Sequence, residues 1–380
     1  MAKQKPTSFS LKDHLFNADR VQFLAGQFST ADRSFDAVGF TRVVMKRLKQ
    51  LELKQRIVHI AETLEQYLAG DFQLAARQII AALPAELDPT KTDDDFGDFI
   101  MAPLGEFVVR RGMATRDVTM SLKTLKEITK RFSMEDALRS FINAHPEKTL
   151  RELEKWSTDR NYHVRRLVSE STRPRLPWSG RLTIDHSVPL PFLEKLHGDS
   201  TRYVTRSVAN HMNDISKVDP LLVLETLARW RKAGRQRPDE LEWLCQHALR
   251  TLIKQGHEQT MQFIGVRTKP KVTVGPIELC QSTITAGQSL EFAVTITSHR
   301  EESLVVDYVI DFVKANGSHS PKVFKAKKLQ LRSGQSVTIR KRHPLRAGAT
   351  TYTLFPGTHR LTIQINGRSW STTTFELATP

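Results

Sequence analysis

"DRNYHVRRLVSE" at residues 159–170 lies over "DSTRYVTRSVAN" at 199–210 when the chain is shifted by forty positions. Asp159 then matches Asp199, Val164 matches Val204, Arg166 matches Arg206 and Val168 matches Val208. A second shift of forty reaches "DELEWLCQHALR" at 239–250, with Asp239, Leu244 and Ala248 in register. A short amphipathic stretch precedes each copy: "PEKTLRELEKW", "PLPFLEKLHG" and "PLLVLETLARW". A helix pair recurring every forty residues is the pattern of a HEAT-like α-solenoid, in which successive pairs bury one another and the second helices line a concave surface. The aspartates read as N-caps, and Pro189, Pro191 and Pro220 as helix starts.

Outward from this repeat, residues 1–268 keep the three-and-four apolar spacing of helices, as in "VVMKRLKQLELKQRIVHIAETLEQYLAG". From residue 271 the period changes to two. "VTVGPIELC", "SLEFAVTITS", "LVVDYVIDFV", "VFKAKKLQL", "SVTIRKRHPL" and "HRLTIQING" alternate apolar and polar residues between Ala-Gly, Asn-Gly, Ser-Gly and Pro-Gly turns. About seven short strands suit an immunoglobulin-like β-sandwich. The expected organisation is multidomain, α then β: a helical-repeat domain over 1–268, a linker at "GVRTKPK", and a sandwich over 271–380.

The chain has 380 residues, enough for two or three domains, and a net charge of +16. Residues 269–380 carry 15 Lys and Arg against 7 Asp and Glu, and residues 1–268 carry 42 against 34. Each part contributes +8, so the β part is the denser in positive charge. That balance points to a polyanionic partner, nucleic acid or an anionic surface. No apolar run approaches the ~20 residues that span a bilayer. The start, "MAKQKPTSFSLKDHLF", has no apolar core of a signal peptide. Cys245 and Cys280 are far apart, which suits a reducing compartment, and His and Cys form no zinc-type cluster. A cytoplasmic protein without metal or cofactor is expected.

Within "WSTDRNYHVRRLVSESTRPRLPW" (156–178), Arg166 and Glu170 are four residues apart and share a helix face. Arg206, Asn210 and Asp214 continue that face in the next repeat, while the valines point into the stack. One reading is an ordinary ion pair on a solvated face. Against it stand the recurrence in register, the basic chain, and the loop that follows, which carries Arg173, Arg175, two prolines and Trp178. Upstream, Ser133 followed by Asp136 reads as a capping box and puts Glu135 in the first turn of a helix, where the dipole alone accounts for a carboxylate.

"RFSMEDALRSFI", "HVRRLVSESTRPRLPW" and "YVTRSVANHMNDISK" resemble the signature blocks of the AlkC-type DNA glycosylases, a branch of the HEAT-like-repeat alkylpurine glycosylases. The blocks span about 129–217, and the family's helical fold covers about 1–265. The tail from "YVIDFVKANGSHSPKVFKAKKL" to "FPGTHRLTIQINGR" resembles the immunoglobulin-like domain that many members carry. Two departures concern packing only: Ser171 stands where the family usually has Gly, and Ala137-Leu138-Arg139-Ser140-Phe141 stands for its "AIRPF". The resemblance implies excision of small cationic lesions, 3-methyladenine and 3-methylcytosine, with active-site roles on Glu135, Arg166, Glu170, Trp178 and Asp214.

Such chemistry wants these residue types. A base methylated at N3 is already positive, and its departure neutralises it. What remains is to stabilise an oxocarbenium-like sugar and supply water, which carboxylates do. Glu135, Glu170 and Asp214 would supply negative charge. Arg166 would hold the carboxylates or contact phosphate, and Arg173, Arg175 and Arg206 would grip the DNA backbone. Trp178 would press on the sugar or the cationic base, or else plug the core behind its prolines. No aromatic nucleobase pocket is legible, so the lesion would be processed in a bent duplex without deep flipping. In the β part, Lys325 and Lys327 would line one side of a strand and, with Lys328 and the "RKRH" run (340–343), form a second clamp on the duplex, or serve solubility. The expected partner is double-stranded DNA carrying alkylated bases, bound by a monomer associated with a bacterial nucleoid and with no membrane contact. The rival reading is a non-enzymatic HEAT-repeat scaffold for nucleic acid or protein.

Overall fold

The computed structural model describes residues 10–93, 96–349 and 352–378. Most of the N-terminal stretch read for a signal peptide, residues 1–9, lies outside these. The chain divides into two compact units: Met1–Ile215 with Leu227–Ala248, and Ser216–Thr226 with Leu249–Pro380. Among the described residues no helix is long and apolar enough to cross a membrane.

The first unit is a stack of helix pairs. The helices Leu53–Tyr67, Ala102–Arg111, Glu135–Ala144, Tyr162–Ser171, Arg202–Ile215 and Pro238–Ala248 pack one on the next in a single row. Pro146–Trp156 and Leu190–Leu196 pack against that row as first helices of their pairs. This is the solenoid that the forty-residue period predicts. Val164, Leu167 and Val168 on one helix, and Val204, Val208 and Met212 on the next, are fully buried between neighbours. Pro189 stands at the cap position of Leu190–Leu196, Pro191 lies in its first turn, and Pro220 opens the helix Pro220–Ala233.

The repeated aspartates are not N-caps. Asn161 caps the Tyr162–Ser171 helix, its side chain accepting from the His163 amide at 2.9 Å. Asp159 lies two residues earlier, bonded to the Asn161 amide at 2.8 Å and paired with Lys126 at 2.5 Å. Asp199 likewise accepts from the Thr201 amide at 2.9 Å and pairs with Arg165 at 2.5 Å. Each aspartate therefore shapes the turn before its helix; Asp199 ties that turn to Arg165 of the preceding helix in the row, and Asp159 ties its own to Lys126 of the helix Val118–Thr129. In the third copy Asp239 falls inside the helix Pro238–Ala248, and Glu240 takes over, bonding Arg202 Nε at 3.0 Å and the Thr205 hydroxyl at 2.6 Å. The sequence match finds the position; the contact it serves is an inter-repeat staple.

The second unit holds an immunoglobulin-like sandwich. Its strands are β1 (Val272–Val274), β2 (Glu278–Leu279), β3 (Thr283–Thr285), β4 (Ser289–Ser298), β5 (Glu302–Val313), β6 (His319–Leu331), β7 (Ser336–Pro344), β8 (Gly357–Ile365) and β9 (Arg368–Ala378). One sheet runs β3-β9-β8-β5-β6, with β3 parallel to β9; in the other, β4 pairs with β1 and β2 on one side and with β7 on the other. Two more strands appear than the seven expected: the single run "VTVGPIELC" holds both β1 and β2, and β3 is only three residues long. Alternate residues Leu290, Phe292, Val294 and Ile296 of β4 face Leu361, Ile363 and Ile365 of β8 across the core.

The helices Arg250–Gln255 and Glu258–Phe263 belong to this unit and not to the solenoid. Met261 and Val266 pack on Val305 of β5, on the face of the sheet away from the sandwich core. Gln364 donates to the Lys254 carbonyl at 2.9 Å, and Asn366 donates to the Arg267 carbonyl at 2.8 Å. The Asn366-Gly367 turn between β8 and β9 has both residues at positive φ, 49° and 77°, as a two-residue hairpin of the right twist requires. A Cβ on Gly367 would fall 1.9 Å from Gly256 Cα, so two glycine backbones meet where helix and hairpin touch.

Candidate functional site

The site forms around the Tyr162–Ser171 helix. Every residue of that helix except Arg165 is buried, including Arg166 and Glu170. The pair is therefore not on a solvated face. Arg166 Nη2 stands 3.6 Å from Glu170 Oε2, and its Nη1 stands 3.6 Å from Glu135 Oε2 and donates to the Ser133 hydroxyl at 2.8 Å. The guanidinium lies over the Tyr203 ring at 4.8 Å. Ser133 thus serves Arg166. It does not cap the Glu135–Ala144 helix, whose cap position is Met134 without a side-chain bond. Glu135 does occupy the first turn, as expected, where the helix dipole favours its charge.

Arg173 is placed differently from expectation. It does not point to solvent to hold phosphate. Its Nη1 donates to Glu170 Oε1 at 2.6 Å, and its Nε donates to Asp214 Oδ2 at 2.9 Å. Ser207 completes the set, its hydroxyl donating to Glu170 Oε2 at 2.6 Å. Arg166, likewise buried, is committed to carboxylates and not to phosphate. The result is a chain of alternating charge, Glu135–Arg166–Glu170–Arg173–Asp214, each ion held by the next. A buried charge is tolerable only with such partners.

Burial opposes the ionised form of Glu170, but Arg166, Arg173 and the Ser207 hydroxyl together outweigh it and hold the carboxyl below the usual range. Burial likewise works against the Arg166 and Arg173 charges, and the carboxylates reverse that, so both stay firmly protonated. Burial pushes the Tyr203 phenol up to about 12 and the His211 imidazole down to about 4, so both are neutral at physiological pH. His211 shares a hydrogen bond with the Ser169 carbonyl at 3.0 Å.

The stripe of the Arg202–Ile215 helix that meets this cluster is Tyr203, Ser207, His211 and Asp214. It is not Arg206, Asn210 and Asp214. Arg206 stands eight residues before Asp214, which turns it about 80° round the helix from that residue. Arg206 faces elsewhere and pairs with Asp93, and Asn210 bonds His247 at 2.9 Å. Arg175 and Trp178 are exposed, with the Trp178 side chain open over 77% of its surface, which removes its reading as a core plug. Among the carboxylate side chains Glu135 is the most open at 23%, against 6% for Glu170 and 4% for Asp214. Ser171 fits without its family's Gly because its hydroxyl bonds back to the Leu167 carbonyl at 2.7 Å.

In the second unit the pairing of β5 with β6 slips between Val306 and Asp307, leaving Ala326 as an extra residue on β6 and resetting that strand's alternation. Lys325 pairs with Asp307 and Lys328 with Val305, on the outward face of β5, whereas Lys327 pairs with the core residue Val306. Lys325 and Lys327 therefore do not line one side; Lys325 and Lys328 do. Burial pushes Asp307 up to about 6 against the pull of Lys254, Lys325 and Lys328. Arg342, in the second basic run, pairs with Glu291 at 3.2 Å. Among the described residues no group of three or more His, Cys, Asp and Glu is arranged to hold a metal ion.

A helical-repeat body with an arginine-held carboxylate cluster, followed by an immunoglobulin-like sandwich, defines a recognisable class. A family model described as the C-terminal Ig-like domain of the uncharacterised protein YhaZ matches residues 273–379. The uncharacterised protein YhaZ of Bacillus subtilis (strain 168) is 33% identical over 321 residues, covering 84% of this chain and 85% of that one. Among solved structures, the Pseudomonas fluorescens alkylpurine DNA glycosylase AlkC bound to DNA containing an abasic site analogue superposes with a TM-score of 0.87. It is 32% identical, and the match covers 97% of this chain and 100% of that one. The chain belongs to the AlkC-type family of HEAT-like-repeat DNA alkylation repair glycosylases with a C-terminal immunoglobulin-like domain.

Glu170→Gln strips the buried Arg166 and Arg173 of a shared anion, and breaking such a pair costs about 3–5 kcal/mol. Because the folded pKa of Glu170 is depressed, its stabilisation is complete above the ordinary value of 4.5 and is lost as pH falls through the lower folded value. The gap in melting temperature between wild type and Glu170→Gln is expected to be full at neutral pH and to close on acidification below 4.5. A gap that stayed constant into acid would contradict the ion-pair account.

Proposed function

We propose that this chain is a monofunctional DNA glycosylase that hydrolyses the N-glycosidic bond of cationic alkylated bases, 3-methyladenine and 3-methylcytosine, in duplex DNA. The observation that supports this most is the buried carboxylate–arginine chain on neighbouring inner helices of a strongly basic protein, in a fold matched along its length by a DNA-bound alkylpurine glycosylase.

The reaction breaks the bond from the sugar C1′ to the base nitrogen. The base leaves with the bonding electrons and becomes neutral, which relieves its own charge and makes the lesion labile. The sugar is left oxocarbenium-like. Glu135, the most open carboxylate, faces that cation and takes the proton from the attacking water, whose oxygen bonds to C1′ to give an abasic site. Glu170, held ionised by Arg166 and Arg173, adds negative potential behind it without moving, and Asp214 lies beside Arg173, nearly closed off. Trp178, exposed and on a Pro-framed loop, offers its π face to the sugar or the cationic base. Arg175 and Arg206 contact phosphates. Lesions that stay neutral gain nothing from this field and are poor substrates, and no deep nucleobase pocket is needed. A scaffold that only bound phosphate would be weakened by carboxylates in its groove, so the rival non-enzymatic reading is the less favoured.

The test is release of methylated bases from methylated duplex DNA, resolved by chromatography. Wild type is expected to release 3-methyladenine and to leave intact abasic strands, with no protein–DNA adduct trapped by borohydride. Glu135→Gln keeps size and removes charge, and its excision is expected to fall by ~10²-fold while affinity for DNA holds or rises. Equal excision by wild type and Glu135→Gln would take Glu135 out of the reaction, and no base release at all by wild type would favour the scaffold.

The β part is proposed as a second phosphate-binding surface through Lys325 and Lys328, which share a side, on the strength of its charge density. Each phosphate contact adds a slope of roughly −0.9 in log K against log salt. Replacing the two lysines by Gln is expected to weaken duplex binding and flatten that slope. An unchanged slope would leave the charge to solubility.

A further inference from the structure

We infer that Arg139 is a positioning residue that fixes the Trp178 loop and the Arg173 backbone as one unit, an inference that rests on the proposed excision reading for its consequence in catalysis. Arg139 lies on the Glu135–Ala144 helix and is 2% exposed. Its guanidinium reaches both ends of the loop that leaves the Tyr162–Ser171 helix. Nη1 donates to the Ser171 carbonyl at 3.1 Å and to the Arg173 carbonyl at 2.7 Å, and Nε donates to the Gly180 carbonyl at 2.9 Å. Among the described residues its hydrogen bonds all end on backbone oxygens and none on a carboxylate. A cation buried for electrostatic reasons would be paired with an anion. This one is spent on holding chain.

The geometry explains why it must be arginine. A planar fork with donors on separate nitrogens can gather carbonyls that lie far apart in sequence; a lysine ammonium cannot span them. The loop needs such a fastening. Pro174 and Pro177 have no amide hydrogen to contribute, and inside the loop the Ser179 amide bonds the Leu176 carbonyl at 3.2 Å. Its exit is tied again by Asn143, which donates to the Arg181 carbonyl at 2.9 Å and accepts from the Thr183 amide at 3.0 Å. Lys54 donates to the Trp178 carbonyl. Trp178 stands at the apex of this fastened loop, and at its base the Arg173 side chain turns inward to Glu170 and Asp214. Arg139 touches neither lesion nor carboxylate. It acts through the residues that do, setting the aromatic face and the buried anions in one register.

The test uses full-length Arg139→Lys and Arg139→Gln in two measurements. First, amide exchange in the segment 173–181 is read by mass spectrometry. It is expected to speed up by at least about tenfold in both variants, while exchange in the Arg202–Ile215 helix stays as in wild type. Second, single-turnover excision at saturating DNA is expected to fall by about 10- to 100-fold with little change in DNA affinity. The losses from Arg139→Lys and Trp178→Ala are expected not to multiply in the double variant, since both act through one loop. Unchanged exchange in 173–181, or losses that multiply fully, overturns the inference. So does a collapse of the cooperative melt in both variants, which would assign Arg139 to folding alone. If wild type releases no base, the excision reading fails by itself and the exchange measurement still decides what Arg139 holds.

Discussion

Five charges in a row, nearly all out of contact with water, constrain the first unit more than any other feature. Glu135, Arg166, Glu170, Arg173 and Asp214 alternate in sign, so that each interior ion has an opposite neighbour on both sides. Remove an interior ion, and each of its neighbours loses one of its opposite partners in a buried setting, a loss costing about 3–5 kcal/mol. Three inner helices and one loop must therefore sit in a single register. The solenoid supplies that register through its repeat: valines between the helices set their spacing, and the Asp159–Lys126 and Asp199–Arg165 staples set the turns that start them.

That cluster also explains a tension in the composition. A chain of net charge +16 attracts a polyanion, yet its candidate site carries carboxylates that repel one. The two are reconciled if most of the negative charge is neutralised locally by Arg166 and Arg173 and only Glu135 is left partly open. Long-range attraction is then preserved, while a cation held against the groove meets a carboxylate at short range. The proposed selectivity for charged lesions rests on that difference in range.

Much of this was legible in the sequence, and the limits have physical causes. The forty-residue register drew out Arg166 and Glu170, steps of four reached Asp214, and the Gly-containing turns located the strands, because these patterns are local and periodic. Steps of four back from Asp214 put Arg206 and Asn210 on the site face, but Arg206 lies about 80° round the helix from Asp214 and pairs with Asp93, and Asn210 bonds His247. Tyr203, Ser207 and His211, polar residues interleaved with valines, were the better stripe. Ser133 matched a capping box in composition, while Arg166 competed for its hydroxyl and won. Arg173 looked like a surface cation because sequence cannot tell which way a loop residue turns after a helix ends. The bulge beside Asp307 adds one residue to an alternation and so reverses the side on which Lys327 lies. The helices Arg250–Gln255 and Glu258–Phe263 have ordinary helical spacing; only packing shows that they belong with the sandwich.

The central claim is that Arg166 and Arg173 hold Glu170 ionised at and below its ordinary value of 4.5. The most direct measurement is the pH dependence of single-turnover excision of a cationic lesion by the wild-type protein. With Glu170 held below its ordinary value of 4.5, the rate is predicted to stay level as pH falls from about 8 to about 5, because the acid limb lies beyond that range. A rate that falls along a limb centred near pH 6 would mean that an essential carboxylate is raised instead of depressed, and would contradict the account.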